Sequence, residues 1–421
     1  MALDPKEFQQ RRAQRQAQRQ QRQAQQKRTV IKLAAAAGAL LLCGVLIFVL
    51  TRKPAAPSQE QTQSSVEQLE TTQQTEASTE TVIRLTVAGD LNITENVVNS
   101  GGSELDYTQT FLDVAHLLAR GDITALNFEG NLFGAPYGQS RSAPQELAVS
   151  LADVGVDLVQ LANSYAIYNG KDGLIATING IRAAGMEPLG AYTTAQEAKA
   201  GKGYTIRNVA GVKIAFVAFT KGMDGMALPP GSESCVNLLY TDYASTYQEV
   251  DKEGITAVLD RVAKENPDIT VAMLHWGSEY NDTVSESQKS ICTLMQSKGV
   301  DAIIGTHSHY VQQMVFDPDA GTFVAYSLGD FLGDAQRAGS EYSVVLDLEI
   351  TKDTQTRQTK ITGYEYTPVF TVNEQDKPLR VVRINEAVAA YEAGYIDRVS
   401  PETYDAMKYA LTRIEARIAG K

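Results

Sequence analysis

The 421-residue chain predicts an α/β fold, a layered domain standing behind an amino-terminal membrane helix. Three observations predict it. Short β-branched or apolar runs recur from residue 81 onward, each closing on Gly, Asn, Asp or His; stretches of helical spacing separate several of them; and a long apolar segment lies near the amino terminus.

Residues 1–29 are rich in Gln and Arg and hold almost nothing to bury, which predicts a basic cytoplasmic tail, disordered or loosely helical. VIKLAAAAGALLLCGVLIFVL at 30–50 matches the roughly 20 residues that cross a bilayer, with Lys32 close enough to one end to snorkel. Eight Lys or Arg precede it and only Arg52 and Lys53 follow directly, so the positive-inside bias places a single-pass protein in the cell membrane with its main domain outside. A cleaved signal peptide, suggested by Ala55 and Ala56, would need an unusually long basic region and apolar region. Leu42 before Cys43 argues against a lipoprotein cleavage site.

Residues 51–80 are polar, free of aromatics and rich in Gln, Thr, Ser and Glu, which predicts a flexible linker. The main domain is expected over 81–375, with a helical extension packed on it over 376–421. The chain's net charge is −12; residues 1–53 hold 11 basic and 2 acidic residues, which leaves −21 for the remainder. Nucleic-acid binding, which needs a basic face, is disfavoured. Cys235 and Cys292 are the cysteines of that remainder, and the sequence leaves their pairing open.

The strand signals are TVIRLTVAGDLN, DITALNFEG, VDLVQLANSY, VKIAFVAFT, DITVAMLHWGSEY, VDAIIGTHSHY and TFVAYSLGDF, with helical spacing in LIATINGIRAAG and SESQKSICTLMQSKG. EYSVVLDLEI and QTRQTKITGYEYTPV predict antiparallel strands, and the last stretch from RINEAVAAYEAG onward predicts helix. Ligands in such sheets sit outside the carboxyl ends of strands. Those ends supply Asp90, Asn127, Glu129, Asn163, His275, His307, His309 and Asp330. Oxygen and imidazole donors of this kind suit one or two divalent ions of the Mn, Fe or Zn type.

On an extended backbone His307 and His309 would point to the same side. Alone, that pair reads equally as a polar loop. Gly-Asp at 89–90 also makes common turns, and Asn127 with Glu129 suits loop ordering. His116 is expected to be a partly buried structural residue on an amphipathic helix, and Trp276 a pocket wall or core residue.

The motifs AGDLN at 88–92, NFEGNL at 127–132, LANSYAIYNGKDGL at 161–174, HWGSEY at 275–280, GTHSHYVQ at 305–312 and YSLGDF at 326–331 resemble the CapA family of capsule and poly-γ-glutamate synthesis, which is related to calcineurin-like metallophosphoesterases. The resemblance implies a metallophosphatase-like layered sandwich of sheets flanked by helices. It implies a metal site of Asp90, Glu129, His275, His307 and His309, with Glu129 bridging, Asp90 and His309 on one ion, and His275 and His307 on the other. Asn92, Asn127, Ser164, Glu279 and Asp330 would support these ligands, while Asn163, Tyr165 and His275 are the candidates for catalytic roles. The expected partners are the membrane, polymer-synthase membrane subunits and an anionic polymer.

One motif departs. The family usually reads Asn-Asn-His followed three residues later by Asp, where this chain has Asn163, Ser164, Tyr165 and Tyr168. Ser is a poor replacement for an amide ligand, and a phenol of pKa about 10 is a sluggish acid at neutral pH. Thr306 replaces a frequent His, removing a polar contact, and Asp330 replaces an Asn, adding negative charge. Two functions therefore compete: a metal-dependent hydrolase or transferase of a surface polymer, and a binding or assembly protein that has lost the chemistry.

Overall fold

A computed structural model describes residues 80–421, apart from Lys202, Asp376 and Asp397. The strands run in chain order as β1 (Glu80–Asn92), β2 (Ile123–Glu129), β3 (Leu158–Gln160), β4 (Glu187–Leu189), β5 (Tyr204–Val209), β6 (Val212–Thr220), β7 (Ile269–His275), β8 (Ala302–Thr306), β9 (Met314–Asp317), β10 (Thr322–Ala325), β11 (Asp330–Leu332), β12 (Tyr342–Asp353), β13 (Thr359–Val372) and β14 (Arg380–Arg383). The longer helices are α1 (Gln145–Val154), α2 (Gly170–Ala183), α3 (Lys252–Lys264), α4 (Glu286–Ser297), α5 (Ile384–Glu392) and α6 (Pro401–Ile418).

Two mixed sheets form. The first has the order β14-β13-β12-β1-β2-β3-β4, with β11 added beside the end of β1; the second has the order β5-β6-β7-β8-β10-β9. Strands β1 to β4 are parallel, as are β6, β7, β8 and β10. The antiparallel pairings expected near residues 341–372 are present between β1, β12 and β13.

Side-chain alternation explains why the sheets stack. Along β6, Ile214, Phe216 and Ala218 join a core shared with Leu85, Val87 and Ala125 of the first sheet. The intervening Ala215, Val217 and Phe219 join a second core with Ile255 and Leu259 of α3 and Ile291 and Met295 of α4. A strand that buries both faces must read as one apolar run, the pattern VKIAFVAFT has. The result is the expected α/β sandwich, with helices outside the second sheet. Helix α4 starts on a reciprocal capping box between Ser285 and Gln288, two orphan donors satisfied at once.

The membrane expectation is corrected. No helix among the described residues is long and apolar enough to cross a membrane. The span expected at 30–50, with its tail and linker, lies outside the described residues. The single-pass anchor therefore has no structural support, and neither do the outward localisation or the membrane and membrane-subunit partners inferred from it.

Three smaller readings also change or settle. His116 is exposed, not partly buried. Cys235 and Cys292 are both free and buried. Trp276 is fully buried, its Nε1 donating to Tyr326 O at 2.9 Å. At the carboxyl end, β14 completes an edge of the first sheet, and Ile384, Met407, Ala410 and Ile414 pack into the inter-sheet core.

Candidate metal centre

The parallel strands bring their carboxyl ends together. Asp90 lies two residues before the end of β1 and Asn127 two before the end of β2, Glu129 closes β2, Asn163 follows β3, His275 closes β7, and His307 follows β8. Strand β11 adds Asp330, in register with Asp90. This pairing depends on Gly89, where a Cβ would lie 1.9 Å from Gly329 O; only a residue without a side chain lets β1 approach that loop, and Asp90 N–H donates to the same oxygen at 3.0 Å.

Two groups of buried ligand atoms result, each within 4.8 Å: Asp90, Glu129 and His275, and Asp90, His309 and Asp330. Asp90 belongs to both. The Asn127 amide stands at the heart of the first group, donating to Asp90 Oδ1 at 2.7 Å and Glu129 Oε1 at 3.1 Å and lying 3.3 Å from His275 Nδ1. In the second group His309 Nδ1 is 2.7 Å from Asp330 Oδ1, and Asn92 donates to the same oxygen at 2.9 Å. His307 belongs to neither group; its ring centroid lies 4.5 Å from that of His275, and its backbone N–H donates to Asp90 Oδ2 at 2.9 Å.

The histidine pair is not held by extended backbone. Strand β8 ends at Thr306, and His307 and His309 have φ of 89° and 59°. Left-handed backbone at two non-glycine residues is strained and persists only where surrounding contacts enforce it. Those contacts are the Asp90 acceptor at His307, the Asp330 bond at His309, and the Tyr280 ring stacked on His309 at 5.1 Å.

Burial dominates the electrostatics of the centre. Burial, reinforced by Asp330, pushes Asp90 up to about 6. Burial, with Asp90 beside it, raises Glu129 well above the usual carboxylate range, and burial raises Asp330 as well. Burial also lowers His275 and His307 well below the usual imidazole range, leaving them neutral. Burial opposes a proton on His309, but Asp330, Glu279 and Glu129 outweigh it and hold its pKa well above the ordinary value.

Three buried carboxylates thus face one cationic imidazole. The nearby cations are bonded elsewhere: Arg141 donates to Ile93 O and Tyr165 Oη, both at 3.2 Å, and Lys221 to Gly277 O at 2.9 Å. Carboxyl groups whose pKa burial raises ionise only with a countercharge beside them, and neutral imidazoles next to such groups offer the donor set that divalent cations take. The two groups are consistent with one or two divalent-cation sites.

The departing motif takes a supporting position. Asn163 donates to Asn127 Oδ1 at 3.0 Å and Phe128 O at 2.7 Å, and its own oxygen accepts from Tyr165 N–H at 3.1 Å, so it orients Asn127. Ser164 Oγ lies 3.0 Å from His275 Nε2 and 3.5 Å from His307 Nδ1. Tyr165 is half-buried, and burial pushes its phenol up to about 12, with Arg141 opposing. Thr306, expected to remove a contact, makes one: its Oγ1 lies 3.1 Å from His275 Nδ1. Glu279 lies at the rim, 3.9 Å from His309 Nε2.

Sequence reasoning missed Lys221 and Arg141. Lys221 directly follows β6, so the rule that found His275 at the end of β7 applies to it equally, and Lys221 N–H bonds to His275 O at 2.8 Å. Arg141 lies on an irregular loop with no such signal, its guanidinium 4.3 Å from the Tyr165 ring centroid.

The family model described as bacterial capsule synthesis protein PGA_cap matches residues 84–335. "Capsule biosynthesis protein CapA" of Bacillus anthracis is 28% identical over 267 residues, 60% of this chain and 60% of that protein. "PGA biosynthesis protein CapA" of Bacillus subtilis (strain 168) is 25% identical over 318 residues, 72% of this chain and 77% of that protein. Among solved structures, the calcineurin-like phosphoesterase YfkN from Bacillus subtilis is 15% identical with a TM-score of 0.40, covering 81% of this chain and 98% of that one.

Proposed function

The chain belongs to the PGA_cap family of bacterial capsule synthesis proteins, and from that premise we propose that it is a metal-dependent hydrolase or transferase acting on a phosphoester or amide bond during biosynthesis of an acidic capsular polymer of the poly-γ-glutamate class. The observation that carries this reading is the pair of buried carboxylate–imidazole groups sharing Asp90. Asp90, Glu129 and His275 would hold one cation; Asp90, His309 and Asp330 a second. His307 stands beside His275, available to the first. Cations held there would supply a lowered pKa to a water and charge neutralisation to oxygens of the scissile group.

The chain's own residues fix the geometry. Asn163 holds Asn127, Asn127 ties the Asp90 and Glu129 carboxylates to one amide nitrogen, and Ser164 and Thr306 bracket the two nitrogens of His275. Arg141 and Lys221 add positive charge near an otherwise acidic centre, which favours an anionic substrate.

One observation favours a second reading, in which the polymer is bound and no bond is cut. Tyr165 stands where the family's His would protonate the leaving group, and a phenol pushed up to about 12 gives up its proton poorly at neutral pH. Hydrolysis of a generic phosphodiester and of γ-linked oligoglutamate by the full-length chain, with Mn, Fe or Zn and then with chelator, separates the two. Metal-dependent turnover abolished by His275→Ala is expected; no turnover with any of these metals, with cations bound, overturns the hydrolase reading in favour of the binding one.

A further inference from the structure

We propose that a cavity of about 280 Å³ between β14, α5 and the segment leading into α6 is a second ligand site, which takes an oxyanion, carboxylate or phosphate, carried on a small apolar stem. None of its lining residues belongs to the metal centre. Arg380, Arg383 and Arg398 line it, together with the apolar residues Val382, Ala387, Ala390 and Val399.

The arginines are incompletely matched by carboxylates, although Arg380 Nη2 also donates to Arg398 O. Arg380 Nη1 and Arg398 Nη2 each reach a different oxygen of Asp113 at 3.3 Å, longer than the roughly 2.7–2.9 Å of strong charge-assisted bonds. Arg383 donates to the Asp113 backbone oxygen at 3.0 Å and to Glu386, itself 44% exposed, at 2.6 Å. Among the described residues the lining therefore holds three guanidiniums against two carboxylates, in a chain whose residues 54–421 carry −21. Side-chain exposures of 17% for Arg380 and 48% for Arg398 leave one partly desolvated donor and one accessible donor facing the same space. Planar guanidiniums in that arrangement match the paired oxygens of a carboxylate or phosphate. An anion repelled by most of this surface would find attraction here.

A purely structural role makes the opposite prediction about Asp113. If the arginines exist only to anchor Asp113, removing its charge gains no affinity for anything. If they form a ligand site, Asp113 competes with the ligand.

Calorimetric titration of the full-length chain with inorganic phosphate and, separately, glutarate tests this. Saturable binding of at least one probe is expected, weakened about tenfold by Arg398→Ala, a loss of about 1.4 kcal/mol, strengthened by Asp113→Asn, and unchanged by His307→Ala. Phosphate alone or glutarate alone would each support the site and identify the oxyanion. No saturable binding of either probe up to about 20 mM, far above a millimolar Kd of about −4.1 kcal/mol, overturns the proposal. So does binding that His307→Ala abolishes and Arg398→Ala spares. Because Arg398 is half-exposed, its variant remains informative if Asp113→Asn fails to fold.

Discussion

Gly89→Ala should damage both the fold and the metal centre. The added Cβ would lie 1.9 Å from Gly329 O and 3.1 Å from its carbonyl carbon, against an ordinary contact of 3.4–4 Å, so β1 and the loop before β11 must separate by well over an ångström. That movement breaks the 3.0 Å bond from Asp90 N–H to Gly329 O and shifts Asp330 from its register with Asp90. Overpacking costs about 1–3 kcal/mol and a buried unmade hydrogen bond about 1–3 kcal/mol, for a loss of about 2–6 kcal/mol. Urea denaturation of the variant should show this as a lower midpoint, and divalent-cation affinity should fall with it. Gly363→Ala in β13, where a Cβ meets nothing within 4 Å, is the control, expected within about 1 kcal/mol of wild type. A Gly89→Ala protein within about 0.5 kcal/mol of wild type would refute the reasoning.

Burial pushes the half-buried Asp301 up to about 6, against the Thr270 N–H that bonds it at 2.7 Å. Its folded pKa exceeds the unfolded 3.8, so stability falls as pH rises from about 4 to 6; Asp301→Asn should be the more stable by up to about 3 kcal/mol at pH 8, a gap closing below pH 4, as denaturation across that range will show. Glu374 behaves oppositely: burial raises it, but bonds from Lys377, Ser400 N–H and Thr403 outweigh that and hold it down to about 2. Its stabilisation is complete above 4.5 and lost as pH falls through 2, so Glu374→Gln should cost about 1–3 kcal/mol at pH 7, a cost that shrinks toward zero below pH 2, measured by thermal melts. Trp276→Phe removes the buried bond to Tyr326 O and should cost about 1–3 kcal/mol by chemical denaturation.

Where a residue's role follows from a strand's period and end, the sequence was legible. β6, β7 and β8 were visible because burial on both faces demands unbroken apolar runs, and Asp90, Glu129 and His275 were visible because they close such runs. Three-residue strands such as β4 carry too few positions to show a period. The left-handed backbone at His307 and His309 was invisible because contacts from β1 and β11 impose it, not local preference. The sharing of Asp90 between two groups depends on β11 joining β1, a pairing across some 240 residues. The arginine cavity draws on Asp113 and on residues from 380 onward, and nothing local announces their meeting. The apolar segment at 30–50 was read from composition alone and lies beyond the described residues.

Cation stoichiometry is the most direct measurement. Titration of the metal-free, full-length chain with Mn and Zn should show one or two ions bound per chain, with Asp330→Asn losing at most one and Asp90→Asn, which touches both groups, losing all. A wild-type chain that binds no divalent ion, or an Asp90→Asn chain that keeps the full complement, would contradict a centre built around Asp90.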